Sequence, residues 1–332
     1  MKVFLTNFPS FYKIKLFNAI NEKQRIVVIF SGTKNFKNRN NDFFSGDIHF
    51  EHYFFTDKDK CKRIKKFLKA HPYEELIIAG WDSKENWYSA LHFPKSKNAM
   101  ILESTIYESK TKGVKAFAKR IFLSRMNKVY ASGQLHTELL KALGFKKEII
   151  MTGGVGLMNR ISQPAFESRS SVKNFLYVGR LVEVKNLRLL IDTFNEMPEL
   201  NLTIIGFGIL ENELKAIAKE NVIFTGAIDN SELSKWYQKS DVFILPSKSE
   251  PWGLVVEEAL NNGTPILLSN RVGCGPELLT ETTGLEFRYD SKEELKKAVH
   301  KICDIELYNR LRLGVSKLDF EKRENEQINA YF

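Results

Sequence analysis

The chain has 332 residues, 43% of them hydrophobic, and a formal net charge of +10. That length accommodates two compact domains with a core each, and its many aromatics and short Pro/Gly/Ser clusters exclude a disordered interior. Cys61, Cys274 and Cys303 have no paired spacing and none forms a metal-ligand pattern with a histidine, so no disulfide scaffold and no structural metal are expected, and a reducing, cytoplasmic setting is.

Along the chain, short β-rich apolar runs alternate with segments of helical period, the pattern of parallel sheets with crossover helices. The opening Met1–Pro9 reads as a buried strand and its turn, without the apolar length or cleavage site of a signal peptide. Strands are then expected at Lys2–Leu5, Arg25–Phe30, Leu76–Ala79, Ala99–Leu102, Lys128–Ala131 and Glu148–Met151. Helices are expected at Phe11–Asn21, Lys58–Ala70 and Gln134–Leu143, the last closed by Gly144. No apolar run approaches the roughly 20 residues that cross a bilayer, so any membrane contact is expected to be peripheral.

The polar stretch Asn159–Lys173 marks a boundary. After it come strands at Asn174–Val178, Asn201–Ile205, Val222–Thr225, Val242–Leu245, Pro265–Leu268 and Leu285–Phe287. Helices fall on Leu187–Phe194, Leu210–Lys219, Ser231–Lys239, Leu254–Asn261 and Lys292–Ile302. The class is α/β: two doubly wound Rossmann-like domains, 1–158 and 159–306, expected to hold a ligand in the cleft between them at the carboxyl ends of their strands. A charged helical tail, 307–332, is expected to pack back on the first domain.

Charge is divided unevenly. Residues 1–158 carry 28 Lys/Arg against 14 Asp/Glu, and residues 159–332 carry 22 against 26. A basic half suits an anionic surface. Lys110–Lys128 concentrates it, combining cations with Phe117, Ile121, Phe122 and Leu123. Such a helix either lies on anionic lipid or buries its apolar stripe in its own domain.

Two segments carry the chemistry. In Leu245-Pro-Ser-Lys-Ser-Glu250-Pro-Trp252-Gly253-Leu254-Val255-Val-Glu257-Glu258, a strand ends, a polar loop follows and an apolar helix begins. Backbone N–H groups therefore converge where phosphate oxygens are favoured. Glu250 precedes the helix and Glu258 lies within it, spaced to hold two hydroxyl-bearing parts of one ligand; in isolation, capping by Glu250 and solvation of Glu257 and Glu258 explain the pattern as well. In Tyr177-Val-Gly179-Arg180-Leu-Val-Glu-Val-Lys185-Asn-Leu, a strand runs into a glycine turn and two cations precede a helix, a sensible pyrophosphate site or an ordinary turn with solvated cations. Gly206, Gly208 and Gly226 lie just beyond strands, where backbone approaches a base or phosphate closely or simply turns.

Taken together, these segments resemble the E-x7-E signature of the retaining GT-B glycosyltransferases of glycosyltransferase family four, continued by Asn-Asn-Gly263-Thr-Pro265 and Gly273-Cys-Gly275-Pro-Glu277. The resemblance implies a GT-B fold with an acceptor-binding first domain and a donor-binding second. It implies that Glu258 binds the ribose hydroxyls of a UDP- or GDP-sugar, Glu250 holds hydroxyls of the donor sugar, and Arg180 and Lys185 neutralise the diphosphate. Gly179, Gly206, Gly208 and the amides from Trp252 through Gly253 and Leu254 to Val255 would line the donor. It further implies retention at the anomeric carbon, with the departing phosphate accepting the acceptor's proton, no cofactor and no metal, and a glycan or glycolipid acceptor in surface polysaccharide, lipopolysaccharide or other glycoconjugate assembly at the cytoplasmic membrane face.

The first domain offers Trp81, Asp82, Glu103 and Ser104 at strand ends as the acceptor or sugar side. Glu103 stands where relatives carry a histidine, and Asn7–Lys13 lacks the relatives' glycine pair; Ser104 and Thr105 also suit local capping. Asp57-Lys58-Asp59 formally makes a D-x-D but opens a lysine-rich helix, where a capping role is expected. Two other readings share these residues. An epimerase or hydrolase of the same fold would use Asp82 and Glu103 as acid and base. A nucleic-acid binder would use the basic half, but the interleaved aromatic and basic motifs of such proteins are missing, so no nucleic acid is expected.

Overall fold

The structure, a computed structural model, describes residues 1–32, 41–44 and 46–332. The chain divides into two compact units, Met1–Leu157 with Lys322–Phe332, and Met158–Glu321. The segment 307–332 is thus shared: most of it belongs to the second unit and only the last eleven residues to the first.

In chain order the first unit comprises β1 (Lys2–Thr6), α1 (Phe11–Lys23), β2 (Ile26–Phe30), β3 (Glu51–Phe54), α2 (Lys60–Ala70), β4 (Glu75–Ala79), α3 (Lys84–His92), β5 (Asn98–Leu102), α4 (Gly113–Ser124), β6 (Lys128–Ala131), α5 (Gln134–Ala142) and β7 (Glu148–Met151). Its strands form a parallel sheet in the order β3-β2-β1-β4-β5-β6-β7. β1 therefore pairs with both β2 and β4, and the winding reverses at β1/β4, the position where open α/β sheets present ligand sites. Both sheet faces are covered, which is why β1, β2 and β5 are buried throughout. Val3, Leu5, Val27, Ile29, Leu76 and Ile78 point to the face packed by Ile64, Phe67, Ala90, Phe122 and Leu139. Phe4, Val28, Phe30, Ile77 and Tyr130 point to the other, covered by Ile14, Phe17 and Ile20 of α1 together with Ile328 and Tyr331 from the end of the chain.

Two elements have no counterpart in the sequence reading. β3 is an edge strand whose residues are alternately half-buried and exposed, so Glu51 and His52 break any apolar run. α3 buries Glu85, Asn86 and Ser89, a polar inner face that carries no hydrophobic period. Two of them bond across the fold: Glu85 pairs with Lys60 at 2.7 Å, and the Asn86 amide donates to the Ala79 and Gly80 carbonyls at 2.8 and 3.1 Å.

The second unit comprises β8 (Asn174–Val178), α6 (Leu187–Phe194), β9 (Asn201–Ile205), α7 (Glu211–Ile217), β10 (Val222–Gly226), α8 (Asn230–Lys239), β11 (Val242–Leu245), α9 (Leu254–Asn261), β12 (Ile266–Ser269), α10 (Gly275–Leu278), β13 (Gly284–Phe287), α11 (Lys292–Ile302) and α12 (Ile305–Val315). A last helix, α13 (Phe320–Asn329), straddles the unit boundary. The six strands are parallel in the order β10-β9-β8-β11-β12-β13, so the winding reverses at β8/β11.

Gly206, just after β9, holds the end of β8 in place. Its φ is +136°, and a Cβ there would sit 1.9 Å from the Gly179 carbonyl oxygen. Gly206→Ala is therefore expected to destabilise the chain by about 2 kcal/mol or more, seen as a lower urea midpoint, because both backbone conformation and contact are lost. A midpoint equal to that of the parent chain would show that the β8 end can move aside without cost.

Candidate functional site

In the second unit the loops leaving β8 and β11 flank the winding reversal and carry the charged residues. After β8, Gly179 and Arg180 form the turn, with the Arg180 carbonyl accepting from the Tyr177 hydroxyl at 3.0 Å. A 3₁₀ turn at Glu183–Lys185 follows, then Asn186, whose φ of +60° makes it the only left-handed non-glycine among the described residues. Its side chain donates to the Pro246 carbonyl at 3.1 Å and the Tyr289 carbonyl at 2.8 Å. One asparagine thus stitches the β8 loop to the β11 loop, reinforced by the Lys248 amide donating to the Val184 carbonyl at 2.8 Å.

This stitching brings Lys185 to Glu250. Their side chains form an ion pair, each only 12% exposed, and Ser247 donates to the same Glu250 oxygen at 3.3 Å. The Glu250 backbone is pinned as well: its amide donates to Arg271 at 3.0 Å and its carbonyl accepts from Gly273 at 2.8 Å. A Cβ on Gly273 would fall 1.8 Å from the Pro251 carbonyl oxygen, so the β12 loop lies flat against the segment leading into α9. That helix follows Gly253, φ +102°, with no side-chain cap; the Val256 amide donates to the Gly253 carbonyl at 2.8 Å, and the positive end of the helix faces this loop.

The two glutamates on α9 differ. Glu257 is buried and accepts from the Trp252 indole at 2.9 Å, so the solvated alternative does not hold for it. Glu258 is half-buried and accepts from the Tyr237 hydroxyl on α8 at 3.0 Å. Burial, and then the neighbouring Glu258 charge, push the Tyr237 phenol well above its ordinary range, so it stays a donor. Burial followed by the Glu250 charge does the same for Tyr177, with Arg180 opposing. Gly206 and Gly208 meet the backbone of the β8 turn, a Cβ on Gly208 lying 2.3 Å from the Leu181 carbonyl oxygen; both set the position of Arg180.

In the first unit, Trp81, Asp82, Glu103 and Ser104 line a single pocket at the β1/β4 reversal, with Asn7 and Lys13. Lys13 pairs with Glu103 at 2.8 Å. The Trp81 ring lies under the Lys119 ammonium at 4.9 Å, and its carbonyl accepts from the Trp87 indole at 2.8 Å. With the Asn86 bonds, α3 fixes the loop that carries Asp82. Asp57 and Asp59 are engaged locally: Asp57 pairs with Arg63 and accepts the Asp59 amide at 2.9 Å, while Asp59 sits at the N-cap of α2.

Several of these residues have no role in the sequence reading: Asn186, Tyr237, Lys13 and Asn86. Lys13 was findable, since it lies in the first turn of a helix that follows the central strand. The other three act through partners that local pattern does not display: Asn186 through carbonyls 60 and 103 residues away, Tyr237 through Glu258 21 residues on, and Asn86 through the backbone of the preceding turn.

Comparison with solved structures defines the class. The lipopolysaccharide outer core galactosyltransferase WaaB in its apo form superposes with a TM-score of 0.75 at 15% identity, covering 100% of this chain and 99% of that one. Sucrose-phosphate synthase from Thermosynechococcus elongatus gives 0.77 at 17%, covering 100% and 98%. Two doubly wound parallel sheets with these likenesses make the fold GT-B. Residues 158–314, nearly all of the second unit, match the family model of the glycosyl transferases group 1. Within curated proteins, the sulfoquinovosyl transferase SQD2 of Arabidopsis thaliana is 37% identical over 107 residues, 32% of this chain and 21% of that protein. Glycogen synthase of Mycobacterium tuberculosis is 32% identical over 148 residues, 41% and 35% respectively. The chain spans less than half the length of these curated relatives. Among the described residues no helix is long and apolar enough to cross a membrane.

Proposed function

We propose that the protein is a metal-independent, retaining glycosyltransferase that moves a sugar from a UDP- or GDP-sugar to a hydroxyl of a glycan or glycolipid, in polysaccharide or lipopolysaccharide assembly at the cytoplasmic face of a membrane. The observation that carries this reading is the junction of the β8 and β11 loops, where Lys185 and Glu250 form a largely buried pair next to the start of α9, on the loop that also carries Arg180. Fixed cations and helix amides would receive the charge that develops on the departing diphosphate. The Lys185 ammonium, held by Glu250, needs no reorganisation as that charge forms. Glu258, oriented by Tyr237, would accept from ribose hydroxyls, and Glu250 from the donor sugar.

One likeness supports the donor class: Anabaena HepE, solved in complex with UDP and glucose, matches at a TM-score of 0.71 and 14% identity, covering 98% of this chain and 97% of that one. The alpha-monoglucosyldiacylglycerol synthase of Streptococcus pneumoniae, 35% identical over 104 residues, supports a glycolipid acceptor. The epimerase or hydrolase reading is less favoured because Glu103 is tied to Lys13.

The test is direct. UDP or GDP is expected to raise the melting temperature, with sugar transfer to a hydroxyl acceptor giving a product whose anomeric configuration, read by NMR, equals that of the donor. Rapid turnover of donor without acceptor would overturn transfer in favour of hydrolysis or epimerisation. Tyr237→Phe should raise the donor KM by about tenfold with kcat little changed, since a hydrogen bond to a charged group contributes about 1.5–3 kcal/mol. An unchanged KM would remove Glu258 from the donor site.

A further inference from the structure

α4 is apolar on two faces. Ala116, Phe122 and Leu123 are buried in the first unit, Phe122 against Trp81 and Trp87 at ring separations of 6.4 and 5.1 Å. Val114, Phe117 and Ile121 are 85%, 63% and 41% exposed. Spaced three and four residues apart, they form one continuous stripe, directed away from the packed side. Burial within its own domain therefore accounts for half of the helix's apolar surface and leaves the other half in water. Isolated exposed apolar residues are ordinary, but a contiguous stripe of large ones marks an interaction surface.

The charge around the stripe selects the partner. From Ser109 to Thr137 the chain contains no acidic residue, while Lys110, Lys112, Lys115 and Arg120 are exposed in and before α4. A protein partner would have to match an apolar stripe with an acidic rim; an anionic bilayer supplies both layers at once, acyl chains for Val114, Phe117 and Ile121 and headgroups for the lysines.

We propose that the outward face of α4 docks the protein on an anionic phospholipid surface. The consequence for the pocket is geometric. The inward side of the same helix supplies Lys119, whose ammonium lies over the Trp81 ring, so the pocket wall formed by Trp81 and Asp82 sits one helix away from the docking stripe. An α-helix is about 10–12 Å across with its side chains. An acceptor hydroxyl carried on a lipid headgroup would reach the pocket without leaving the interface. The inference extends the glycosyltransferase reading to a partner, and the two can fail separately.

The experiment is co-sedimentation of the full chain with phosphatidylglycerol-containing and pure phosphatidylcholine vesicles, alongside Val114→Ser/Phe117→Ser/Ile121→Ser and Lys112→Gln/Lys115→Gln. The parent chain is expected to bind the anionic vesicles at least about tenfold more tightly than the neutral ones and to be released by salt. Each variant should lose about tenfold or more. All five positions are exposed, so unchanged melting temperature and unchanged stabilisation by UDP or GDP should accompany the loss. Docking is overturned if the parent chain stays in the supernatant with anionic vesicles, or if the triple apolar variant binds them normally. It is equally overturned if that variant instead turns a dimer into a monomer, which would make the face a contact between copies. Transfer to a soluble acceptor in a chain that ignores vesicles would leave the enzymatic reading standing alone.

Discussion

Replacing Lys185 by alanine is expected to lower glycosyl transfer by about 10²–10³-fold while leaving the far-ultraviolet circular dichroism unchanged, the loss typical of removing one preorganised group that meets developing negative charge. The substitution has two effects that must be separated. It removes a cation from the proposed diphosphate site, and it leaves Glu250 as a largely buried carboxylate without its ion-pair partner. The second effect would lower stability by about 1–3 kcal/mol and repel the donor diphosphate. Glu250→Gln isolates the terms, because the amide keeps the shape and can still bond Ser247 while the charge is gone. The double variant Lys185→Ala/Glu250→Gln should be more stable than Lys185→Ala yet remain nearly as inactive, since the cation is still missing. If the double variant regains parental kcat/KM, Lys185 serves only to neutralise Glu250 and the diphosphate role is wrong.

That coupling explains why the site was partly legible in sequence. Arg180, Lys185 and Glu250 sit in loops between strand ends and helix starts, with Glu258 within the helix that follows, and strands with glycine turns are local signals. The regular strands of both units follow the apolar runs closely, for example β8 at Asn174–Val178 and β11 at Val242–Leu245, because strands buried on both faces are continuously apolar. What local pattern does not contain is who holds the charged groups. Asn186 adopts a left-handed conformation and reaches carbonyls 60 and 103 residues away. Glu257 looks like a surface glutamate and is instead buried on the Trp252 indole. α3 hides for the same reason: its inner face is polar because it bonds the backbone of the Gly80 turn and Lys60, so its tertiary role erased its hydrophobic period. β3 hides for the opposite one, an edge position that frees half of its side chains from burial.

The largest effect on stability is expected at Tyr331→Ala, at the next-to-last residue of the chain. One face of the first unit's sheet is covered by α1 and by Ile328 and Tyr331 near the chain end, with Phe50 and Leu157 at its margins. Tyr331 stacks on Tyr130 at 4.8 Å and leans on Phe4 at 5.9 Å, and its carbonyl accepts from the Lys2 ammonium. Removing the ring would expose the centre of the sheet at β1 and β6, at a cost of about 3–5 kcal/mol for a buried aromatic cut to alanine. Phe332→Ala supplies the control: its ring is 55% exposed and lies near the Lys2 and Lys23 ammonium groups at 5.6 and 5.9 Å, a solvent-facing arrangement contributing about 0.5–1 kcal/mol. Urea denaturation followed by tyrosine and tryptophan fluorescence should therefore show a large fall in midpoint for Tyr331→Ala and a small one for Phe332→Ala. The second unit should be spared, so the stabilisation by UDP or GDP expected under the proposed function would persist in the Tyr331 variant. Equal midpoints for the two variants would mean that α1 alone suffices to cover Phe4 and Tyr130, and that the return of the chain end to the first unit contributes little to holding it folded.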